Sequence, residues 1–333
     1  MEISIIKTMN LMMKKFFSLL FFLVFSSVVY ASDSKPSILV LTANGEAFTK
    51  VVSGMTVELE EDINFNKLFI EKNTSTKEID KAITTTTPKL IVLVGNSSIK
   101  SYMEYQKNNP KKSFPPSLAV SALFVDKLVT KLKNTIGIRY EIPAVTSIVN
   151  LRSVMSKPIK KVGVVYREWM TNLIVENQKY CTPEGIELVS YILPNKDSDM
   201  TDKLKNGIET LLKKGVDALW VVNDNTLLNG NTLSSAWLPT IGSKDIPVIV
   251  GIEPLLASNL NFGTFAVFPD HYALGSQAAS VIGEIMDDDW NIEGREIEQP
   301  LSVKKMINIA VMTKKGIPFK SEKLSEMDHV ITQ

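Results

Sequence analysis

Short apolar runs that alternate with amphipathic helical segments are the feature of this sequence that most restricts its fold. Residues 90–94 and 162–166 are two such runs. Apolar residues at nearly every position are typical of strands that are buried on both faces of a parallel sheet. Segments of helical periodicity lie between the runs, and one of them carries Phe48, Val51 and Met55 at spacings of three and four. Strands that alternate with helices in this way predict an α/β fold built on parallel sheets.

The predicted strands fall into two groups along the chain. They comprise residues 38–41, 67–71, 90–94, 117–124 and 135–140 in the first group, and residues 162–166, 186–193, 216–222, 246–252 and 263–268 in the second. These strands could form one large sheet or two sheets of about five strands each. No long low-complexity linker separates the groups, and we favour two doubly wound parallel-sheet lobes joined by hinge strands. The carboxyl ends of the strands, where open α/β sheets bind their ligands, would then line a cleft between the lobes.

The amino-terminal segment predicts export. Lys14 and Lys15 precede an apolar run over residues 16–29, and small residues stand at the −3 and −1 positions of a cleavage site after Ala31. This is the layout of a secretory signal peptide, here residues 1–31. An uncleaved membrane anchor is the alternative, but the run falls short of the roughly 20 apolar residues that a span needs. We expect a periplasmic protein that does not stay inserted in the membrane after cleavage.

The composition of the chain excludes several classes of function. Removing 31 residues from 333 leaves 302, a length that suits two domains. Basic and acidic side chains nearly balance, at 37 and 36 in the full sequence, so no strong field favours nucleic acid or an anionic membrane surface. Cys181 is the only cysteine, so the chain has no internal disulfide and no cysteine near the signal for lipid attachment.

Enzymatic chemistry has little support in the sequence. His271 and His329 are the only histidines, and they form no metal-ligand spacing with Cys181. Neither a dinucleotide-binding G-x-G-x-x-G motif nor a phosphate-binding loop is present. A carboxylate pair such as Asp224 and Glu253 is the remaining enzymatic alternative, since two carboxylates can hydrolyse a glycosidic bond. We predict a binding protein without a metal, a cofactor or catalytic residues.

Four segments resemble a known family in their order and spacing. They are residues 161–166, 216–226, 246–251 and 272–279, and the more specific pieces are Asp224-Asn225-Thr226 and the Y-x-L-G-x-Q-A-A run that starts at Tyr272. The chain resembles the solute-binding proteins of ABC importers with the type I periplasmic fold. It is similar to the branch that includes proposed tryptophan and tyrosine binders. The loops at residues 44–46, 95–97 and 123–126 depart from the usual pattern of that family.

The resemblance implies an architecture and a function. It implies a first lobe of residues 32–141 and 270–300, and a second lobe of residues 142–269 and 301–333. It also implies that a small-molecule solute binds between the lobes, that the lobes close on it, and that an ABC permease with its ATPase receives it. An amino acid is the ligand class we favour, and we expect a monomer. The alternative is a periplasmic ligand-sensing module of a signalling system.

Asp224 is the leading candidate for ligand recognition. It follows an apolar strand at the point where that strand reaches the expected cleft. A carboxylate there could accept hydrogen bonds from the ammonium group of an amino acid. Asn225 and Thr226 come directly after it, and all three residues could instead cap a helix.

A second group of candidates opens the helix that follows the third strand. Asn96, Ser97 and Ser98 would offer hydroxyls and free backbone N–H groups to a carboxylate. Ordinary helix capping is the alternative for these residues.

The remaining candidates lie near other strand ends. Tyr166 and Trp169 could stack on a flat ligand, with core packing and surface exposure as the alternatives. Glu253 and Asp270 could bind a cation or order a hinge. Three further residues are chosen by position alone, namely Asn44, Ser121 and Phe268.

Overall fold

A parallel sheet of five strands forms from the first group of predicted strands. In the computed structural model, which describes residues 35–333, its strand order is β2-β1-β3-β4-β5 and every pair is parallel. The strands are β1 (Ser37–Thr42), β2 (Asn64–Phe69), β3 (Leu90–Val94), β4 (Ser117–Val120) and β5 (Thr135–Gly137). The helices that connect them are Glu46–Leu59, Thr76–Thr86, Gly95–Asn108 and Val125–Val129. We call this sheet, with the helices packed against it, the first lobe.

A second sheet of seven strands has the order β12-β11-β10-β9-β8-β6-β7. Its strands are β6 (Lys161–Arg167), β7 (Glu187–Leu193), β8 (Ala218–Trp220), β9 (Val248–Val250), β10 (Phe265–Pro269), β11 (Val303–Asn308) and β12 (His329–Ile331). Its helices are Ala144–Val154, Thr171–Cys181, Met200–Lys213, Gly230–Thr232, Leu238–Ile241 and Ile309–Lys314, with a π-helical turn at Leu233–Trp237. All strand pairs are parallel except β10 with β11. We call this sheet with its helices the second lobe.

Burial on both faces explains the apolar strands. In β3, Leu90, Val92 and Val94 pack into a hydrophobic cluster on one face of the first sheet. Ile91 and Leu93 pack into a separate cluster on the opposite face. All five side chains are fully buried. The sequence therefore loses the polar–apolar alternation of a half-exposed strand because helices cover both sides of this sheet.

The structure corrects several predicted strand boundaries. β4 ends at Val120 and not at residue 124, because Ser121 has a positive φ of 55° and turns the chain out of the sheet. β5 is shorter than predicted and ends at Gly137. β2 begins at Asn64, three residues before the predicted start. It is an edge strand with mostly exposed or half-buried side chains, so no apolar run marks it.

Two strands of the second sheet were not predicted. β11 contains Lys304 and Lys305 and lies close to the edge of the sheet, and β12 has only three residues. A charged or very short strand gives no apolar run to detect. Ser75 and Glu78 form a capping box at the start of helix Thr76–Thr86, since they exchange side-chain-to-backbone hydrogen bonds, as the Ser-x-x-Glu spacing of the sequence indicates.

The predicted signal peptide, residues 1–31, lies outside the described residues. Between residues 35 and 333, no helix combines the length and the apolar character that a membrane span requires.

One helix from late in the sequence completes the first lobe. Helix His271–Asp287 follows β10 of the second sheet and buries Leu274, Ala278 and Ile282 in the core of the first sheet. It crosses helix Glu46–Leu59 at Gly275, where an added Cβ would overlap the carbonyl oxygen of Val51. The two helix backbones therefore touch directly, and this contact holds the late segment of the chain on the early sheet.

We expect Gly275→Ala to lower the free energy of unfolding by about 1–3 kcal/mol, because the new methyl group forces two packed helices apart. Gly283→Ala is the matched control in the same helix, since a Cβ there would meet no atom of residues 35–333 within 4 Å apart from its own stretch of helix. The control should be neutral or stabilising by up to about 1 kcal/mol, since alanine favours the helix. Urea unfolding of both variants measures the difference, and equal effects would show that the close crossing does not matter.

Candidate functional site

The carboxyl ends of strands from both lobes border a chamber of about 710 Å³, which we call the wide chamber. Its lining includes Phe48, Asn96 and Ser121 from the first lobe, Glu253 and His329 from the second, and His271 at the crossing between them. A volume of this size falls within the range of about 300–1,000 Å³ that small-molecule pockets have. The wide chamber is therefore large enough for a ligand such as an amino acid or a sugar.

The loops after β1 and β3 shape one wall of the wide chamber. Gly95 opens the helix after β3 with a φ of 85°, a backbone conformation that side chains other than glycine rarely adopt. A Cβ on this residue would lie 2.9 Å from Cε1 of Phe48. The absence of a side chain at Gly95 therefore lets the Phe48 ring lie against the backbone and form an apolar surface of the chamber.

A neutral aromatic pair forms another part of the wall. The Tyr140 hydroxyl lies 3.0 Å from Nε2 of His271, and the two rings stack with centroids 5.9 Å apart. The ring of Phe268, which is 2 % exposed, also stacks on His271, with ring centroids 5.9 Å apart. Burial lowers the pKa of His271 in spite of the nearby carboxylates of Glu253 and Asp270, and burial raises the pKa of Tyr140. Both groups are therefore uncharged at pH 7 and offer a flat, hydrogen-bonding surface.

Three of the predicted site residues line the wide chamber together, namely Asn96, Ser121 and Glu253. The amide of Asn96 is already used, since it donates to the carbonyl of Leu123 and accepts from the N–H of Leu123, both at 2.9 Å. Asn96 therefore fixes the loop after β4. Glu253 is exposed and Ser121 is buried at the chamber wall.

The other residues predicted near β1 and β3 lie differently. Ser98 is fully buried, and its hydroxyl donates to the carbonyl of Val94 at 2.8 Å, so it faces the interior of its own helix. Ser97 is exposed on that helix, and Asn44 is exposed in the loop after β1. None of these three residues lines the wide chamber in the described part of the chain.

Asp224 is buried and already paired. Its two carboxylate oxygens accept hydrogen bonds from Nε and Nη2 of Arg167, each at 2.7 Å, and Oδ1 also accepts the N–H of Thr226 at 2.9 Å. The Asp224 side chain is 2 % exposed and the Arg167 side chain 16 %. In this conformation Asp224 has no free oxygen directed at a ligand, and Arg167 takes the place of the expected ammonium group. Arg167 is not among the candidates predicted from the sequence, although a charged residue at the end of an apolar strand indicates a position of this kind.

Four further candidates lie in the turn after Asp224, in the core of the second lobe and at a helix start. Asn225 is exposed and Thr226 is half-buried in the turn after Asp224. Tyr166 is 3 % exposed and packs in a cluster with Met170, as the core-packing alternative supposed. Asp270 caps helix His271–Asp287 by accepting N–H groups of its first turn.

Trp169 joins the two lobes. Its ring packs edge-on against Phe124 of the first lobe with centroids 4.9 Å apart. Nζ of Lys127 lies 4.5 Å from the centre of the Trp169 ring and donates to the Trp169 carbonyl at 2.7 Å. A cation over an aromatic face is attractive, so these contacts hold the loop after β6 against the first lobe.

A second chamber of about 60 Å³, which we call the narrow chamber, lies between the lobes. It borders residues 139–143, which lead from β5 into the second lobe. Glu141, Asn223 and Trp220 are among its lining residues. Burial raises the pKa of Glu141 to about 7, with Asp126 adding to the rise, while the N–H of Phe124 and the charge of Arg139 act in the opposite direction. The sequence reasoning did not single out Glu141 or Asn223 for binding.

We expect Asp224→Ala to lower the free energy of unfolding by about 3–5 kcal/mol, because it leaves the Arg167 guanidinium buried without its partner. Glu284→Ala is the control, since it removes an exposed partner of Arg295 and should cost about 0–1 kcal/mol. Urea unfolding at pH 7 measures both losses. Equal losses would mean that the Arg167–Asp224 pair is not the buried pair described above.

The wild type should lose stability as the pH rises and Glu141 releases its proton, and we expect Glu141→Gln to abolish this loss. A carboxyl whose pKa is raised by folding stabilises the protein below its ordinary pKa, and that contribution is lost as the pH rises through about 7. The free energy of unfolding of the variant, relative to that of the wild type, should therefore be higher at pH 8 than at pH 5, by no more than about 3 kcal/mol. Urea unfolding at both pH values tests this, with Glu293→Gln as an exposed control. A constant difference across the two pH values would contradict it.

Comparison with known proteins places this geometry in a fold class. No protein-family model matches the sequence, and no curated protein matches it. The ABC domain in complex with L-Trp from Streptococcus pneumoniae is similar in structure with a TM-score of 0.57, at 17% identity over 90% of this chain and 100% of that chain. A ligand-free, open substrate-binding protein with adhesive properties from Clostridium difficile has a TM-score of 0.66, at 15% identity over 90% and 100% of the two chains.

The fold is also found outside transport. A transcription regulator of Lactococcus lactis has a TM-score of 0.51, at 18% identity over 82% of this chain and 97% of that chain. Identities of this level carry the fold and not the ligand or the partner. The two sheets and the structural similarity to these proteins establish that residues 35–333 have the type I periplasmic-binding-protein fold.

Proposed function

We propose that this protein is the exported solute-binding component of an ABC importer, which captures a small molecule between its two lobes and delivers it to a permease with its ATPase. The observation that carries the proposal is the wide chamber, which both lobes line at the carboxyl ends of their strands. Chambers in this position are where open α/β sheets bind their ligands. The chain would contribute capture and delivery, act as a monomer in the periplasm, and perform no chemistry.

An amino acid, with an aromatic side chain as the leading case, is the ligand we propose. Phe48, Tyr140 and His271 give the wide chamber uncharged flat surfaces, on which an aromatic ring stacks favourably. The hydroxyl of Ser121 and the exposed carboxylate of Glu253 supply polar groups at the same chamber. Asp224 keeps a supporting part in this proposal, since it holds Arg167 at the end of β6.

Lobe closure is the mechanism that we propose for capture. The segments that cross between the lobes lie near Glu141 and Pro143, near Phe268, and near Pro300, and bending there would move one lobe toward the other. Hinge closure of this kind is a general property of periplasmic binding proteins. The proposed lobes are residues 32–141 with 270–300 and residues 142–269 with 301–333, which agree with the packing of helix His271–Asp287 on the first sheet.

A thermal-shift screen of the purified chain from Ser32 onward tests the proposal. The library holds amino acids, nucleosides, sugars and small organic acids. A compound that binds only the folded protein adds about 2.7 kcal/mol at 100 times its Kd, which gives a visible rise in Tm. We expect a rise with at least one aromatic amino acid. A rise with sugars or nucleosides alone would reject the ligand class, and the absence of any rise across the library would count against solute binding.

The binding compound then tests the wide chamber itself. We expect Phe48→Ala to weaken its affinity about tenfold or more, since a lost aromatic contact of about 1.4 kcal/mol has this effect. Phe69→Ala is the control, because Phe69 is 52% exposed on the edge strand β2, away from the chamber. Isothermal titration calorimetry measures both affinities. Equal affinities of the two variants would move the site out of the wide chamber.

A periplasmic ligand-sensing module is the second candidate function. The similarity to a transcription regulator supports it, because the same fold there belongs to a regulatory protein. Both candidates require ligand binding, so the screen does not separate them. Stimulation of a reconstituted permease ATPase by the ligand-loaded protein would favour transport, and ligand-dependent binding to a signalling receptor would favour sensing.

A further inference from the structure

The narrow chamber contains polar groups that the packing of the protein does not use. Oε1 of Glu141 accepts the N–H of Phe124 at 2.7 Å, and no side chain within residues 35–333 donates a hydrogen bond to this carboxylate. Glu141 lies deep between the lobes yet keeps some accessible surface, because it lines the chamber. A buried carboxylate is costly unless donors satisfy its oxygens. Within residues 35–333 the only donors to this carboxylate are therefore the backbone N–H groups of Phe124 and of Glu141 itself, so it can accept a further hydrogen bond from a group that enters the chamber.

Asn223 is the second unused group. It follows β8, and its amide makes no hydrogen bond to any described residue. Oδ1 of Asn223 is buried and without a partner, and the amide lies close over Gly251, where an added Cβ would be 2.6 Å from Nδ2. Buried amide groups are nearly always hydrogen-bonded, so the unpaired Oδ1 of Asn223 is available to a donor group that enters the chamber.

The charges around Glu141 leave its negative charge uncompensated. From the first lobe, Asp126, Lys127 and Arg139 line the chamber, and from helix Thr171–Cys181 so does Glu176, together with the phenol of Tyr180. Lys127 is engaged with the carbonyl and ring of Trp169. Arg139 faces Glu176 at 3.5 Å. When Glu141 is ionised, three carboxylates and two cationic side chains line the chamber. One additional positive charge would therefore neutralise the net charge of its lining.

The size and walls of the chamber limit what can enter it. A volume of about 60 Å³ suits a group of the size of an ammonium or a methylammonium ion. Phe124, Met170 and Trp220 supply apolar and aromatic walls, and an aromatic face attracts a cation. An anionic group would meet Glu141, Asp126 and Glu176 and would be repelled.

We propose that the narrow chamber is a recognition subsite for a protonated primary amine, with Glu141 as its counter-charge and Asn223 as its second hydrogen-bond acceptor. This inference rests on the proposed function, because the amine would belong to the captured solute. It assigns the ammonium contact to Glu141 and not to Asp224, whose oxygens Arg167 already occupies. Amine recognition would then depend on residues from both lobes, since Asn223 follows β8 and Glu141 follows β5.

Proton binding by Glu141 would compete with the amine. The empty chamber favours the neutral carboxyl because burial raises its pKa to about 7, whereas an ammonium group needs the ionised form. Affinity for an amine should therefore rise as the pH increases toward 7 and become constant above it. Below pH 6 the expected loss approaches about tenfold for each pH unit.

Three matched probes test the subsite on the purified chain. L-phenylalanine, 2-phenylethylamine and 3-phenylpropanoate share one ring and carry both charged groups, the amine alone and the carboxylate alone. The same trio is assembled for each of the other amino acids. Isothermal titration calorimetry at pH 5, 6, 7 and 8 gives the Kd of each compound. We expect the best-binding compound to carry an ammonium group, and we expect its deaminated counterpart to bind about 30-fold more weakly or worse.

Substitutions at Glu141 and Asn223 test whether these two residues bind the amine. Glu141→Gln and Asn223→Ala should each weaken amine binding, the former about 30-fold or more, and Glu141→Gln should also abolish the rise of affinity with pH. Glu293→Gln, an exposed carboxylate-to-amide change, should leave the Kd within about twofold and serves as the control. Thermal unfolding without ligand confirms that each variant is folded. Because Asn223→Ala preserves every charge, it tests the site even if Glu141→Gln folds poorly.

The outcomes separate this inference from the proposed function. If the deaminated acids, sugars or nucleosides bind best, or if Glu141→Gln and Asn223→Ala bind the amine as tightly as Glu293→Gln does, the amine subsite is wrong and solute binding stands. If no compound of any class binds, both the proposed function and the subsite are contradicted.

Discussion

The direct backbone contact between helix Glu46–Leu59 and helix His271–Asp287 is the interaction on which the two-lobe arrangement depends. Glycines at positions 54 and 275 remove the side chains that would keep the two backbones apart. The contact fixes helix His271–Asp287, from the last fifth of the chain, on the sheet formed by residues 37–137. The chain must therefore cross from one lobe to the other more than once, and these crossings border both chambers.

Charge placement in the cleft follows from the cost of burying ions. Arg167 and Asp224 satisfy each other with two short hydrogen bonds, so they can be buried together. Among residues 35–333 Glu141 has no such side-chain partner, and burial raises the pKa of its carboxyl and so favours the neutral form. The Arg167–Asp224 pair thus compensates its own charges, whereas the Glu141 carboxylate lacks a side-chain partner within the described residues. The two carboxylates therefore have different parts in the cleft, even though both lie in segments that follow a strand.

The residues of the candidate site were only partly predictable from the sequence. Asn96 and Glu253 are candidates because each lies just after a predicted strand, and Ser121 is a candidate by its position alone; all three line the wide chamber. Fully buried parallel strands are easy to locate because their sequences are continuously apolar, although β4 and β5 end before the predicted residues 124 and 140. Ser98 was chosen by the same rule, but it faces the interior of its helix. The rule gives the end of a strand and not the direction of a side chain.

The sequence by itself determined the α/β class, the order of most strands and helices, and the capping box at Ser75, because these depend on local periodicity and local hydrogen bonds. Only the tertiary structure decided that Arg167 pairs with Asp224, that His271 stacks on Tyr140, and that Asn223 and Glu141 share a chamber. These residues are 57, 131 and 82 positions apart in sequence. Such contacts arise from how two sheets are crossed and packed, and no local pattern in the chain records which distant side chains meet.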